Sequence, residues 1–177
     1  MSFYPNATGA AGHLGVTYRY FTGEVDVPFG FGLSYTQFEY SSIQAPAQAG
    51  PCDEITVAVV VTNVGQRAGD AVVQAYVKQL SPSVSAPQLR LAGFERLRDL
   101  APGSQSTVMI TLDPAFRSVV LEEGFDAFWK PSLVVEQGTI EVYLGGSQPG
   151  FGEHTEMTSI EITGTSSLDE CKASKKQ

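Results

Sequence analysis

The sequence predicts an all-β sandwich of antiparallel strands preceded by an extended N-terminal arm, and three observations carry that prediction. From residue 55 onward apolar and polar residues alternate with the period of two that sends successive side chains to opposite faces of a strand. Turn-forming residues, among them Pro82, Pro87, Pro102-Gly103, Pro114 and Gly138, punctuate those runs at the spacing of a sandwich and not of a βαβ series. No segment carries the apolar period of a convincing amphipathic helix.

The elements can be taken in chain order. In "ITVAVVVT", Ile55, Val57, Val59 and Val61 share the face expected to meet the core, and Thr56, Ala58, Val60 and Thr62 share the other. "NVGQRAGD", residues 63–70, has the Asn, Gly and Asp chemistry of a turn, and "AVVQAYVKQL" returns with Val73, Ala75 and Val77 on one side, which predicts a hairpin. "TVMITL" groups Val108, Ile110 and Leu112; "TIEVYLG" groups Ile140, Val142 and Leu144; "EITG" at 161–164, with Ile160 before it, closes the last strand. "PAFRSVVLEEGFDAFWK" holds two apolar bursts, "SVVL" and "FDAFW", split by Glu122, Glu123 and Gly124, a pattern that fits two strands or a strand and a loop, with room for a helical turn at 113–118. The chain therefore divides into an arm at 1–37, a sandwich at 38–163 and a flexible polar tail at 164–177.

The arm differs in kind from the sandwich. Phe3, Tyr4, Tyr18, Tyr20, Phe21, Phe29, Phe31 and Tyr35 make up 8 of the chain's 18 aromatic residues, with no periodicity to bury them. Each brings about 150 to 250 Å² of surface, so together they demand cover. Two readings stand: the arm folds back on the sandwich, adding an edge strand through "VTYRYF", or it is shaped against a surface this chain does not contain. The second is favoured.

Composition narrows the partners. Lys and Arg number 11 against 19 Asp and Glu, a formal net charge of -8, which argues against a nucleic-acid partner. The longest apolar run is about half of the roughly 18 residues a membrane-spanning helix needs, so no membrane partner is expected. "MSFYPNATGAAGHLG" does not read as a secretory signal, which leaves a cytosolic chain or one that begins part-way into something longer. Cys52 and Cys171 are the only cysteines, the second in the polar tail "SSLDECKASKKQ", and both are expected as free thiols.

Catalytic constellations are not found. His13 and His154 have no neighbours at metal-ligand spacing, and the sequence contains no G-x-S-x-G, no phosphate-cradling loop and no H-E-x-x-H, so no catalytic, cofactor or metal residue is assigned. The acidic pairs Asp53-Glu54, Glu122-Glu123 and Asp169-Glu170 fall at turns or in the tail, whereas glycoside hydrolysis needs two carboxyl groups roughly 5 to 9 Å apart on rigid elements. Arg67, Arg90, Arg96, Arg98 and Arg117 are read as surface or edge-strand charges. Phe128 and Trp129 form a candidate sugar platform, with Tyr143 as a third member, although packing is the commoner fate of such a pair.

One stretch matches something specific. "VTYRYFTGEVDVPFGFGLSYTQFEY" closely resembles the linker that leads into the last domain of family-three glycoside hydrolases, the β-glucosidases and β-xylosidases, where G-[RV]-T-Y-R-[YF]-F…PFG[YF]GLSYT recurs. "VTNVGQRAGDAVVQAYV" resembles that family's N-x-G-x-x-x-G-[DE]-x-V-x-Q-x-Y-V, and "QLRLAGFERLRDLAPGS" its L-x-G-F-x-R-[VL]…L-x-P-G. With "IEVYLGGSQPG" the likeness spans residues 14–163, and its ending leans to the β-xylosidase branch. The resemblance implies a fibronectin type III-like β-sandwich, in accord with the strand reading, and a non-catalytic role. In the family the nucleophilic Asp belongs to a barrel and the acid/base Glu to an α/β domain; both would be partners absent from this chain, with polysaccharide a further candidate partner. By the same resemblance Tyr18, Tyr20, Phe21, Phe29, Gly30, Phe31, Gly32, Leu33 and Tyr35 are the expected interdomain contacts, the glycines permitting close approach or positive φ. "LEEGFDAFWKPSLVVEQG" is longer than the family's usual hairpin. The alternative is a free-standing carbohydrate-binding or adhesion module.

Overall fold

The computed structural model describes residues 17–121, 132–151 and 155–174. Eleven strands dominate, in the order β1 (Phe38–Gln44), β2 (Gln48–Ala49), β3 (Ile55–Asn63), β4 (Gly69–Gln79), β5 (Arg90–Leu100), β6 (Gln105–Leu112), β7 (Ser118–Leu121), β8 (Ser132–Val135), β9 (Gly138–Gly145), β10 (Thr155–Ile162) and β11 (Ser166–Ser167). A 3-10 turn at Pro114–Arg117 precedes β7, and a helix, α1 (Leu168–Ser174), follows β11.

The strands form an all-β sandwich. One layer runs β1-β3-β6 and the other β2-β10-β9-β4-β5, with a small third sheet, β11-β8-β7, beside them. Pairing is antiparallel except between β2 and β10. The alternation in β3 places Ile55, Val57, Val59 and Val61 at 0 or 1 % exposure, facing Val73, Ala75 and Val77 of β4 and Val142 and Leu144 of β9 across the core. Val108, Ile110 and Leu112 on β6, and Ile140 and Ile160 on the other layer, join the same cluster as the sequence predicts.

Four sequence expectations need correction. β3 and β4 do not form a hairpin: they lie in opposite layers, and residues 63–69 carry the chain from one sheet to the other. The reason is Asn63, buried at the crossing, whose Nδ2 donates to the carbonyls of Arg67 and Leu100, each at 2.7 Å. These bonds tie the corner to the far end of β5 instead of closing a two-strand turn. Cys52 and Cys171 are not free thiols but a disulfide across a sequence separation of 119. The tail is likewise not flexible polar chain as far as Ser174, because β11 pairs with β8 and α1 buries Leu168 and Cys171. Ser167 and Glu170 cap that helix reciprocally: Ser167 N donates to Glu170 Oε2 at 2.9 Å, and Glu170 N to Ser167 Oγ at 3.2 Å.

Arg117 is the fourth, since it is 2 % exposed and not a surface charge. Its Nη2 donates to the carbonyls of Gly50, Pro51 and Asp53 at 3.2, 3.1 and 2.5 Å, pinning the turn that carries Cys52. Burial lowers its pKa, and the carboxylates of Asp53 and Asp113 oppose that shift. Arg96 does lie on an edge strand as expected, paired with Asp70 on β4. The helical turn expected at 113–118 is present at 114–117, and "SVVL" is β7.

Candidate functional site: the arm and the outer face of the larger sheet

β4 has two buried faces, and the second one locates the site. Val73, Ala75 and Val77 point into the core, so Val72, Gln74 and Tyr76 point outward, yet Tyr76 is 0 % exposed. The arm covers it. The Tyr18 ring meets Tyr76 edge-on with centroids 6.1 Å apart and stacks on Phe29 at 4.2 Å and 13°. Burial, with the Tyr18 hydroxyl nearby, raises the Tyr76 pKa well above the usual phenol range, so its hydroxyl remains a donor.

Polar groups fasten the same contact. Gln74 Nε2 donates to the carbonyls of Gly30 (3.0 Å) and Gly146 (2.7 Å), while its Oε1 accepts from Tyr76 Oη at 2.7 Å. Leu91 N on β5 donates to Tyr18 Oη at 3.1 Å, Gln88 N to Arg19 O at 2.8 Å and Gln148 N to Phe29 O at 2.9 Å. Gly30 has φ +81°, and a Cβ there would overlap the Gln74 amide, so both its conformation and its space require glycine. Gly32, expected to act in the same way, meets open space on this chain.

The arm's C-terminal end is locked at the β3–β4 corner. Asn63 Oδ1 accepts from Thr36 Oγ1 at 2.7 Å and from Gly65 N at 3.0 Å, and Val64 N donates to Gln37 O at 2.9 Å. A Cβ on Gly65 would overlap the Thr36 hydroxyl. The residues "N-x-G" and "Q-x-Y" of the sequence pattern are thus the groups that grip the arm.

Gripping leaves one side of the arm bare. Tyr18 faces inward, and Tyr20 and Phe21 are half-buried. Phe29 and Phe31 keep 46 and 42 % of their surface exposed, and Leu33 and Tyr35 keep 93 and 92 %. No edge strand forms through 17–21; that segment is a turn, closed by Phe21 N donating to Thr17 O at 2.9 Å. A cleft of about 620 Å³ is lined by Phe31, Leu33, Phe38, Tyr40 and Val72, and another of about 600 Å³ by Phe21, Val25, Val27 and Phe29. Phe94 on β5, directly across from Gln74 and 67 % exposed, extends the apolar surface onto the sheet. Sequence periodicity missed Phe94, Gln74 and Tyr76 as site residues; the signal was an apolar or amide residue on the strand face opposite the core.

The acidic pairs singled out by the sequence serve local structure where they are described. Asp53 Oδ2 accepts from Gly50 N at 2.7 Å within its turn, and Glu170 caps α1. No group of three His, Cys, Asp or Glu suited to a metal ion occurs among the described residues. Tyr143 is half-buried on β9 with its hydroxyl donating to Glu141 Oε2 at 2.6 Å; burial first, then that bond, pushes its pKa up to about 12. Phe128, Trp129, His13, His154 and the Glu122-Glu123 pair lie outside the described residues.

Comparisons with known proteins agree with this architecture. Residues 71–148 match the fibronectin type III-like domain family. The chain is 46% identical over 104 residues to the thermostable beta-glucosidase B of Acetivibrio thermocellus, covering 56% of this chain and 14% of that protein. It is 35% identical over 128 residues to a putative beta-xylosidase of Formosa agariphila, covering 70% and 16%. Among solved structures, beta-glucosidase 3B of Thermotoga neapolitana in complex with glucose aligns with TM-score 0.67 and 27% identity over 81% of this chain and 18% of that one. The matched part is 14% of the length of several such relatives. β-Glucosidase names predominate, and they do not single out a β-xylosidase branch.

Proposed function

We propose that this chain is a non-catalytic accessory β-sandwich of a β-glucosidase- or β-xylosidase-type glycosidase, docking through its arm onto catalytic domains that lie outside this chain. The observation that carries the reading is a ridge hydrogen-bonded to its own sheet and left bare on the other side. Leu33 and Tyr35 are almost wholly exposed while Tyr18, Gln74 and Asn63 fix the backbone on either side of them. A preordered apolar ridge loses little conformational freedom on docking, so most of the area it buries contributes to association. The small share of each relative that the chain spans supports a partner formed by the rest of such a protein.

The proposed contacts divide by role. Tyr18 and Gly30 anchor the arm; Tyr20 and Phe21 flank it; Phe29, Phe31, Leu33 and Tyr35, with Gly32 between them, present the docking surface. Assay of the isolated chain on aryl β-glucosides and β-xylosides should give no turnover, and turnover abolished by one carboxylate substitution would overturn the reading. Titration with xylo- or cello-oligosaccharides should leave Trp129 fluorescence unchanged; saturable quenching would favour a carbohydrate-binding module instead.

A further inference from the structure

Among the described residues, the C-terminal segment is held on the sandwich by the Cys52–Cys171 bond, the short β11–β8 pairing and the burial of Leu168. β11 contributes two residues paired to Val134 and Val135 of β8, and α1 has seven residues, fewer than an isolated helix needs to persist in water. The capping exchange between Ser167 and Glu170 lies within the segment, so it shapes the helix without attaching it. Leu168, 5 % exposed, is its apolar anchor in the core.

Cys171, 3 % exposed, is bonded to Cys52 in a turn that is fixed from behind by the three carbonyl contacts of Arg117 Nη2. The bond therefore ties a weakly held segment to a strongly held one. Upstream, Thr163 N donates to Ala49 O at 2.9 Å and Gln137 N to Thr165 Oγ1 at 2.9 Å, so residues 163–165 are fastened by hydrogen bonds of their own, and beyond them only the β11 pairing and Leu168 precede the disulfide.

We propose that the Cys52–Cys171 bond is a redox-sensitive clasp whose reduction by a dithiol releases β11 and α1 from β8 while the two main layers stay folded. A thiolate of the dithiol attacks the sulfur of Cys52, the more exposed residue of the pair, forming a mixed disulfide and expelling Cys171 as a thiolate that takes up a proton. The reagent's second thiol then closes its own disulfide and frees Cys52, so two electrons and two protons pass from the dithiol to the cysteines. Release withdraws Leu168 and leaves β8 without its β11 neighbour, an open edge available for pairing. Such bonds persist in oxidising surroundings and are lost in reducing ones, so the segment is closed only in the former.

Hydrogen–deuterium exchange of the full chain with and without dithiothreitol tests this. Reduction should speed exchange at 166–174 and 132–135 by roughly tenfold or more, as a local opening does, with β3, β6 and β9 still protected. Cys171→Ser should reproduce the pattern without any dithiol. Protection retained at 166–174 after reduction would overturn the clasp, as would simultaneous loss of protection across both layers, or two thiols titrating before any reductant is added.

Discussion

Asn63→Ala is the sharpest test of how the arm is held. The Asn63 amide accepts from Thr36 and Gly65 and donates to the carbonyls of Arg67 and Leu100, at 2.7 to 3.0 Å, in a residue 0 % exposed. At about 1 kcal/mol net for each bond the loss approaches 4 kcal/mol, reduced where water reaches the exposed turn, so we expect about 3 to 4 kcal/mol. For a chain of this size that lowers Tm by roughly 6 to 16 °C. Thr36→Val removes only one of the bonds and should cost about 1 kcal/mol. Urea unfolding should show a lower midpoint with the same slope for both variants, and the double variant should cost less than the sum, because the pair shares a bond. Asn63→Ala costing under about 1 kcal/mol, or Thr36→Val costing as much as Asn63→Ala, would refute the assignment of Asn63 as the joint between arm and corner.

The same packing sets the other expectations. Gln74→Leu removes the donors to Gly30 and Gly146 and the acceptor for Tyr76, so amides at 27–33 should exchange faster while β3 and β9 stay protected; unchanged exchange there would contradict the grip described. Leu144→Ala empties part of a fully buried site and should cost about 3 kcal/mol by thermal unfolding. Asp70 has its pKa lowered by the Asp99 amide first and then by Arg96, so its contribution is present above the ordinary value of 3.8 and disappears as pH falls through the lower folded-state value. Asp70→Asn should therefore lower Tm at pH 7, with the difference from the parent chain narrowing in acid. A gap that widened in acid would reverse the sign of that argument.

The legible parts of the fold are those where one face of a strand is buried and the other wet. β3, β6 and β9 alternate cleanly and their core residues follow from period alone. β5 escapes that logic because it is an edge strand with Ala92 as its one buried residue and charges along most of its length. β1 escapes it because a bulge between Ser41 and Gln44, with Ser42 at φ +56°, breaks the alternation. The false hairpin arose because turn chemistry reports a reversal of the chain and not the layer to which it returns. Tail composition concealed α1, although Ser167-x-x-Glu170 is a capping signal and Leu168 and Cys171, three apart, share a helix face. Arm aromatics signalled a need for cover; that Tyr18 finds it on this chain while Leu33 and Tyr35 do not depends on Gln74 and Tyr76, whose outward positions carry no periodic signature.

The central claim, that the bare side of the arm is a docking surface, is tested most directly by measuring one pair of substitutions in two settings. Leu33→Ser with Tyr35→Ser should leave the Tm of the isolated chain within about 2 °C of its original value, since exposed positions away from structural features contribute little. In a chimera carrying residues 17–174 in place of the corresponding domain of the Acetivibrio β-glucosidase, the same pair should lower Tm by several degrees, because each docked side chain is worth about 1.5 to 3 kcal/mol. Equal and negligible shifts in both settings would contradict the claim.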